Sequence, residues 1–115
     1  MVNPKSELYE NHPDWVIELP GRVNREQRNQ LGLDLSNPAV QDYIFGVLDD
    51  LLTTHPGISY VKWDCNRNIS DPGSNHLAAD RQERLYIDYV RGYYDVLRRI
   101  TEKHPEVVFQ ACASG

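Results

Sequence analysis

Residues 38–64 read PAVQDYIFGVLDDLLTTHPGISYVKWD, and this stretch decides the fold class. Its first part has apolar residues at helical spacing, which predicts a helix with one buried face. These residues are Val40, Tyr43, Ile44, Val47, Leu48, Leu51 and Leu52. Pro38 after a polar pair is typical of a helix start, and His55-Pro56-Gly57 of its end. Residues 58–64 are rich in β-branched and aromatic side chains and predict a strand.

The same pattern continues on both sides of this stretch. Downstream, residues 85–100 carry a second apolar stripe, His104-Pro105 ends it, and residues 107–112 predict another strand. Upstream, residues 31–35 alternate with period two and predict a strand as well. The order strand, helix, strand, helix, strand indicates an α/β chain with a parallel sheet and right-handed crossovers. Two architectures fit it, an open doubly wound sheet and part of a (β/α)8 barrel.

Composition excludes several function classes. The chain has 115 residues, with 17 acidic against 12 basic side chains and a formal net charge of −5, so we expect no nucleic-acid partner. It contains no apolar run of the ~18 residues that a membrane span needs. The four His and two Cys have no metal-ligand spacing, and no Gly-rich phosphate loop follows a strand. We therefore expect neither a metal ion nor another cofactor.

The two chain ends bear on domain organisation. The last predicted strand, residues 107–112, is followed by only three more residues. A core strand normally leads to another element, so we expect a piece of a longer protein. The N-terminus has neither the basic nor the apolar region of a signal peptide, and we expect a cytoplasmic protein.

The carboxyl end of the strand at 58–64 carries the candidate chemistry. Alternation places Lys62, Asp64 and Asn66 on one face, and Trp63 and Cys65 on the other. Ligands of α/β folds bind at the carboxyl ends of parallel strands, where an ionised carboxylate suits nucleophilic attack on a sugar carbon. The alternative is a structural Lys–Asp pair with Asn66 starting a turn, which is the commoner arrangement when spacing alone is considered.

Two further residues are weaker candidates. Arg28 lies at the predicted entry to the strand at 31–35, and we expect it to be the best positioned arginine of that loop. Cys112 shares a strand face with Gln110. A buried, unreactive thiol is the simpler interpretation of Cys112 when it is considered in isolation.

A set of sequence blocks, taken in order, resembles the bacterial α-galactosidases of glycoside hydrolase family 36. The blocks are Met1-Val2-Asn3-Pro4, Ser6-Glu7-Leu8-Tyr9, His12-Pro13-Asp14-Trp15, Arg28-Asn29-Gln30-Leu31, Leu33-Asp34-Leu35, Tyr60-Val61-Lys62-Trp63-Asp64, Asn66-Arg67 and Cys112-Ala113-Ser114-Gly115. The Lys-Trp-Asp-x-Asn and Cys-x-Ser-Gly blocks together carry the most specific part of the resemblance, which runs over the whole chain.

The resemblance implies a partial (β/α)8 TIM barrel, with about three consecutive strands and two intervening helices. Residues 1–115 would be a fragment of a single catalytic domain. The implied activity is retaining hydrolysis of terminal α-D-galactose from melibiose- and raffinose-type α-galactosides. The general acid/base Asp would lie on a later strand, beyond this chain, so that the fragment alone is expected to be inactive. The resemblance is compatible with a full-length protein that forms homo-oligomers.

Site residues follow from the same resemblance. Asp64 would be the nucleophile at the tip of the fourth barrel strand, and Lys62 and Asn66 would hold galactose hydroxyls. Arg28 would contact the sugar. The segment Cys112–Gly115 would line the galactose pocket through Cys112 and Gly115.

Three alternatives stay open on the sequence. Two are related activities on the same scaffold, an α-N-acetylgalactosaminidase and galactosyl transfer of the raffinose-synthase type. The third is a catalytically silent carbohydrate-binding remnant. Gln110 stands where the family often has Glu, and Ala111 where it often has Ser, which bears on fine substrate preference.

Overall fold

Helices and strands alternate along most of the chain. A computed structural model describes residues 1–19, 21–22, 26–65 and 68–112. The elements are, in order, α1 (Glu7–Asn11), a 3-10 helix (Pro13–Trp15), α2 (Pro38–Thr54), β1 (Tyr60–Asp64), a second 3-10 helix (Ala79–Arg84), α3 (Leu85–Lys103) and β2 (Val108–Cys112). Within the ranges just given, no helix is both long enough and apolar enough to cross a membrane.

Helix α2 has the bounds that its local sequence predicts. The Asn37 side chain caps its start by accepting a hydrogen bond from the Ala39 amide at 3.0 Å, and Pro38 occupies the first turn. At the other end the His55 amide donates to the Leu51 carbonyl oxygen at 3.0 Å. The prediction of a helix that begins at Pro38 and is ended by His55-Pro56-Gly57 is therefore confirmed. Its predicted buried face is only partly confirmed, because Tyr43, Val47 and Leu51 are exposed.

The two named strands form a parallel sheet. Tyr60 lies opposite Val108 and Asp64 lies opposite Cys112, so the two carboxyl ends meet at one edge. The connection between them runs through α3, as a parallel pair requires. This confirms the strand–helix–strand order of the second half of the chain.

Residues 31–35 are not a strand of this sheet, so the prediction of about three strands is wrong for the described part of the chain. Leu31 makes an isolated antiparallel bridge to Val2, and Leu33 makes one to Val16. Period-two alternation identified a backbone with one buried face. Alternation does not identify the segment that pairs with residues 31–35. In the structure the N-terminal residues pair with them, and β1 does not.

Helices α2 and α3 pack together against one face of the sheet. Val61 contacts the cluster formed by Leu52, Ile100 and Val107. The ring of Trp63 meets Tyr93 of α3 edge-on, with 5.4 Å between centroids. A second cluster joins the N-terminal segments to the start of α2, through Val2, Val16, Leu31, Leu33, Leu35 and Val40. The fold thus has a covered back face of β1 and an exposed front face.

The N-terminal region contains helical turns in addition to the elements predicted from the sequence. Ser6 caps α1, its hydroxyl accepting from the Tyr9 amide at 3.3 Å, and the 3-10 helix follows at once. The three prolines and the polar composition of residues 1–28 masked this signal. Ser6 followed by acidic residues in the first turn is a helix start that could have been recognised.

An ion cluster joins the carboxyl ends of the two long helices. Asp49 of α2 accepts a hydrogen bond from the Lys103 ammonium at 2.7 Å, and the His104 Nε2 lies 2.9 Å from its other oxygen. Hydrogen bonding to Lys103, and then to His104, holds the pKa of Asp49 below its usual 3.8. A carboxylate with a lowered pKa in the folded state favours folding at pH values above its unfolded pKa.

We therefore expect Asp49→Asn to change the acid limb of the stability profile. In the native protein the contribution of Asp49 is present at neutral pH and is lost as the pH falls below the usual 3.8 and through the lowered pKa. The variant lacks this contribution, so its free energy of unfolding should fall less steeply with acid. The neighbouring Asp50→Asn, on an exposed side chain, is the control in urea unfolding measured between neutral and acid pH. Equal slopes for the two variants would contradict the assignment.

Candidate active site

The front face of the sheet carries polar residues on both strands. Lys62 lies opposite Gln110, and Asp64 lies opposite Cys112. Paired residues of neighbouring parallel strands point to the same side, so these four side chains share one face. The structure therefore brings three of the predicted site residues together: Lys62 and Asp64 on β1, and Cys112 on β2.

Alternation along β1 separates this face from the core. Lys62 and Asp64 are exposed, whereas Val61 and Trp63 are partly buried against α3 and its neighbours. This confirms the predicted assignment of the two faces within Tyr60–Asp64. Charged side chains can occupy the strand because they avoid the side that the helices cover, where burying a charge costs several kcal/mol.

Gln110 is tied to the strand beside it. The Tyr60 hydroxyl donates a hydrogen bond to the Gln110 Oε1, across the two strands on the front face. This contact orients the amide next to Lys62. On the sequence, Gln110 is only a departure from the family pattern, and Tyr60 is not among the predicted site residues. The period-two pattern already places Tyr60 with Lys62 and Asp64, so this neighbour could have been found.

The covered side of the strand end contains Cys65. Its amide donates to the Cys112 carbonyl oxygen at 2.8 Å, extending the strand pairing past Asp64. Burial raises the pKa of the Cys65 thiol, and burial also raises that of the Tyr93 phenol nearby. A partly buried thiol with a raised pKa is a poor nucleophile at neutral pH. Cys65 is thus a packing residue, on the side of the strand opposite Lys62 and Asp64.

A cavity also lies on this covered side. Its walls include Trp63, Cys65, Tyr93 and Ile69. It is bounded by the back face of β1, not by the front face that presents Lys62 and Asp64. The polar groups of the candidate site therefore lie on the opposite side of the strand from this cavity.

Arg28 occupies a reverse turn and not the strand entry that the sequence suggested. The amide and carbonyl groups of Gln27 and Gln30 bond to each other at 3.0 and 3.1 Å, and Arg28 and Asn29 between them have φ values of 55° and 57°. Two consecutive left-handed residues define a tight hairpin turn that usually contains Gly. Arg28 is exposed at the tip of this turn. Its segment is separate from β1 and β2.

The remaining predicted site residues, Asn66 and Gly115, lie outside the described residues. The candidate site of the described chain therefore consists of Lys62 and Asp64, with Cys112 beside them. An exposed carboxylate, an ammonium and a thiol at the carboxyl edge of a parallel sheet form a face that can bind and attack a polar ligand.

Comparisons with known proteins cover the whole of this chain. The family model of melibiase matches residues 1–115. The chain is 44% identical over 115 residues to α-galactosidase AgaA of Geobacillus stearothermophilus. It is 39% identical to α-galactosidase Mel36A of Lactobacillus acidophilus. It spans 16% of the length of each of these relatives.

Solved structures match the backbone equally well. A crystal structure of GH36 α-galactosidase AgaA from G. stearothermophilus superimposes with a TM-score of 0.93 at 43% identity, covering 99% of this chain and 16% of that one. The α-galactosidase from Lactobacillus brevis gives a TM-score of 0.93 at 37% identity, covering 99% and 15%. AgaA variants have been crystallised with stachyose and with raffinose. From its first residue to its last, the chain belongs to the melibiase family.

Proposed function

We propose that the protein containing this chain is a retaining α-galactosidase, which hydrolyses terminal α-D-galactose residues of raffinose-type oligosaccharides. In this proposal residues 1–115 are part of a single catalytic (β/α)8 barrel. The observation that carries the proposal is the front-face grouping of Lys62, Asp64 and Cys112 in a chain 44% identical to an α-galactosidase. The stachyose and raffinose complexes of AgaA variants support the choice of substrate class.

Asp64 is the nucleophile of the proposed double displacement. One of its carboxylate oxygens forms a bond to C1 of galactose while the bond from C1 to the leaving oxygen breaks. A carboxylic acid, which we place outside this chain, gives its proton to that oxygen. Water then loses a proton to the same group and attacks C1, releasing galactose and restoring the Asp64 carboxylate. Such a pair of carboxyl groups stands about 5–5.5 Å apart in retaining enzymes.

The remaining site residues hold the sugar. Lys62 offers three N–H donors to galactose hydroxyls from the same strand face as Asp64. Asn66 adds an amide of mixed donor and acceptor character. Arg28 lies on the separate turn at 27–30, and its planar set of donors is assigned to the sugar by the family resemblance alone. Cys112 lies opposite Asp64 in the sheet and forms the neighbouring wall. The family resemblance assigns Gly115 to the same wall.

We expect Lys62→Ala and Trp63→Phe to have different consequences in the full-length protein. Lys62→Ala removes donors from the front face, so kcat/KM should fall at least about 100-fold, the loss of two or more charge-assisted hydrogen bonds. Trp63→Phe acts on the back face against Tyr93 and should lower the melting temperature with kcat/KM nearly unchanged. Steady-state kinetics and thermal melts separate the two effects. If Trp63 proves to be the kinetic residue and Lys62 the stability residue, the assignment of faces is reversed.

The reaction itself is tested by substrate choice and stereochemistry. The full-length protein should hydrolyse an aryl α-galactoside and raffinose, with the α-anomer of galactose appearing first in ¹H NMR. An aryl α-N-acetylgalactosaminide and an aryl β-galactoside serve as controls and should react poorly. Preference for the N-acetylated sugar, transfer of galactose to another sugar in place of water, or sugar binding without turnover would each contradict the proposal.

A further inference from the structure

Asp34 is a fully buried carboxylate that the proposed mechanism does not use. Its side chain is 0% exposed, although it lies in a segment that joins two turns. One oxygen accepts from the Ser36 amide at 2.9 Å and from the Ser36 hydroxyl at 2.6 Å. The other oxygen accepts from the Ser74 hydroxyl, forty residues along the chain. The carboxylate therefore connects the start of α2 to the loop that follows β1.

Ser74 uses all of its hydrogen-bonding capacity at this junction. Its hydroxyl donates to Asp34 and accepts from the amides of His76 and Leu77, each at 3.1 Å. A hydroxyl has one donor and two acceptor positions, so this set is complete. The Gln82 amide group binds the Ser74 backbone twice, accepting from its N–H and donating to its carbonyl oxygen, each at 2.9 Å.

The preceding residue, Gly73, is held from a third direction. The Glu18 amide donates to the Gly73 carbonyl oxygen at 3.0 Å. A Cβ atom at Gly73 would lie 2.2 Å from the Glu18 carbonyl oxygen, so the two backbones are in close contact. Residues 73–77 are therefore fixed to the N-terminal segment, to Asp34 and to the helix that follows.

This fixed segment bears on the candidate site through the loop before it. Ile69 and Asp71 line the cavity behind β1 together with Trp63 and Cys65, the two residues that flank Asp64 in sequence. At the strand end, the Cys65 amide bonds to Cys112. The backbone at Asp64 is thus held by strand pairing on one side and backed by a loop whose far end depends on Ser74.

We propose that Asp34 is a positioning residue for Asp64: through Ser74 it fixes the loop at 68–77, and this loop supports the strand end that presents the nucleophile. The inference rests on the proposed function of Asp64. It assigns no contact between Asp34 and substrate. Asn at position 34 would keep the shape but replace one acceptor oxygen by an N–H donor. Facing Ser74, this donor finds no free lone pair; facing Ser36, it meets the backbone N–H that donates to Asp34. Either orientation of the amide therefore breaks a hydrogen bond of the junction.

The test uses Asp34→Asn and Ser74→Ala in the full-length protein. Each should lower kcat on an aryl α-galactoside at least 10-fold with a smaller change in KM. Hydrogen exchange at the amides of His76 and Leu77 should rise in both variants. Ile100→Ala is the matched control. It removes a fully buried side chain from the other core cluster, and should lower the melting temperature while keeping kcat and KM at a temperature where all variants are folded.

Two results would overturn the inference. One is a native kcat in Asp34→Asn and Ser74→Ala. The other is a loss of kcat in Ile100→Ala as large as the loss in Asp34→Asn and Ser74→Ala. General destabilisation would then explain all three losses of kcat. If the unmodified full-length protein fails to cleave any α-galactoside, the proposed function is wrong on that ground alone. Unchanged exchange at His76 and Leu77 in Asp34→Asn would then independently show that Asp34 does not fix the loop.

Discussion

Asp64→Asn in the full-length protein is expected to lower kcat on an activated aryl α-galactoside by a factor on the order of 10⁴ or more, the scale seen when a nucleophile is removed. Asn keeps the size of the side chain but cannot form the covalent bond to C1. An aryl leaving group needs little help from a general acid, so the measurement isolates the nucleophile. Because Asp64 is exposed at the strand end, the variant should keep the native melting temperature.

Asp80→Asn is the control for this prediction. Asp80 is an exposed carboxylate of the second 3-10 helix, and its replacement should leave kcat unchanged. A second experiment, which tests the nucleophile more directly, measures Asp64→Gly with added azide. Azide should occupy the space of the carboxylate and displace the aryloxide directly, yielding the β-galactosyl azide. Formation of the α-azide, or a near-native kcat in Asp64→Asn, would show that Asp64 is not the nucleophile.

Gly92→Ala is expected to have the largest effect on stability. Gly92 lies in α3 where the helix crosses the turn before α2, and a Cβ atom there would lie 1.9 Å from the Leu35 carbonyl oxygen and 2.6 Å from the Gln41 Nε2. The same Nε2 donates a hydrogen bond to the Leu35 oxygen at 2.8 Å, and an added Cβ atom would disrupt this bond as well. Overpacking against backbone should cost about 3 kcal/mol of unfolding free energy.

Gly46→Ala is the matched substitution in the other long helix. A Cβ atom at Gly46 would meet no heavy atom within 4 Å apart from its neighbours in the helix, so the main change is in backbone entropy. Ala is favoured over Gly in a helix interior by about 1 kcal/mol, and this variant should therefore be more stable. Urea unfolding followed by circular dichroism measures both. If Gly92→Ala is as stable as the native protein, α3 can shift away from Leu35 without loss.

Several features of the candidate site could be predicted from the sequence, and others could not. The division of β1 into two faces follows from period-two geometry, and the structure confirms it at Lys62, Trp63 and Asp64. The pairing of Asp64 with Cys112 could not be predicted, because register depends on how α3 packs before the chain returns to the sheet. The catalytic roles of these residues stay predictions that the kinetic experiments address.

Arg28 shows how a local pattern can mislead. The sequence placed it at the entry to a strand, since the residues after it alternate. In the structure it lies in a two-residue turn with φ 55°, a conformation that an arginine rarely adopts without support from its surroundings. The bridge from Leu31 to Val2 supplies that support immediately after the turn. The conformational preferences of single residues could not predict this turn, because it depends on the bridge to Val2.

The sequence by itself determined the helix α2 with its two ends, the order of helix and strand from residue 38 onwards, and the faces of β1. These features depend on caps, prolines and side-chain periods, which act over a few residues. Only the tertiary structure decided that residues 31–35 pair with the N-terminal segments, and that Asp34 is buried against Ser74. Alternation predicts that one side of a segment is buried. It does not predict which distant segment packs against that side, because tertiary packing selects that segment.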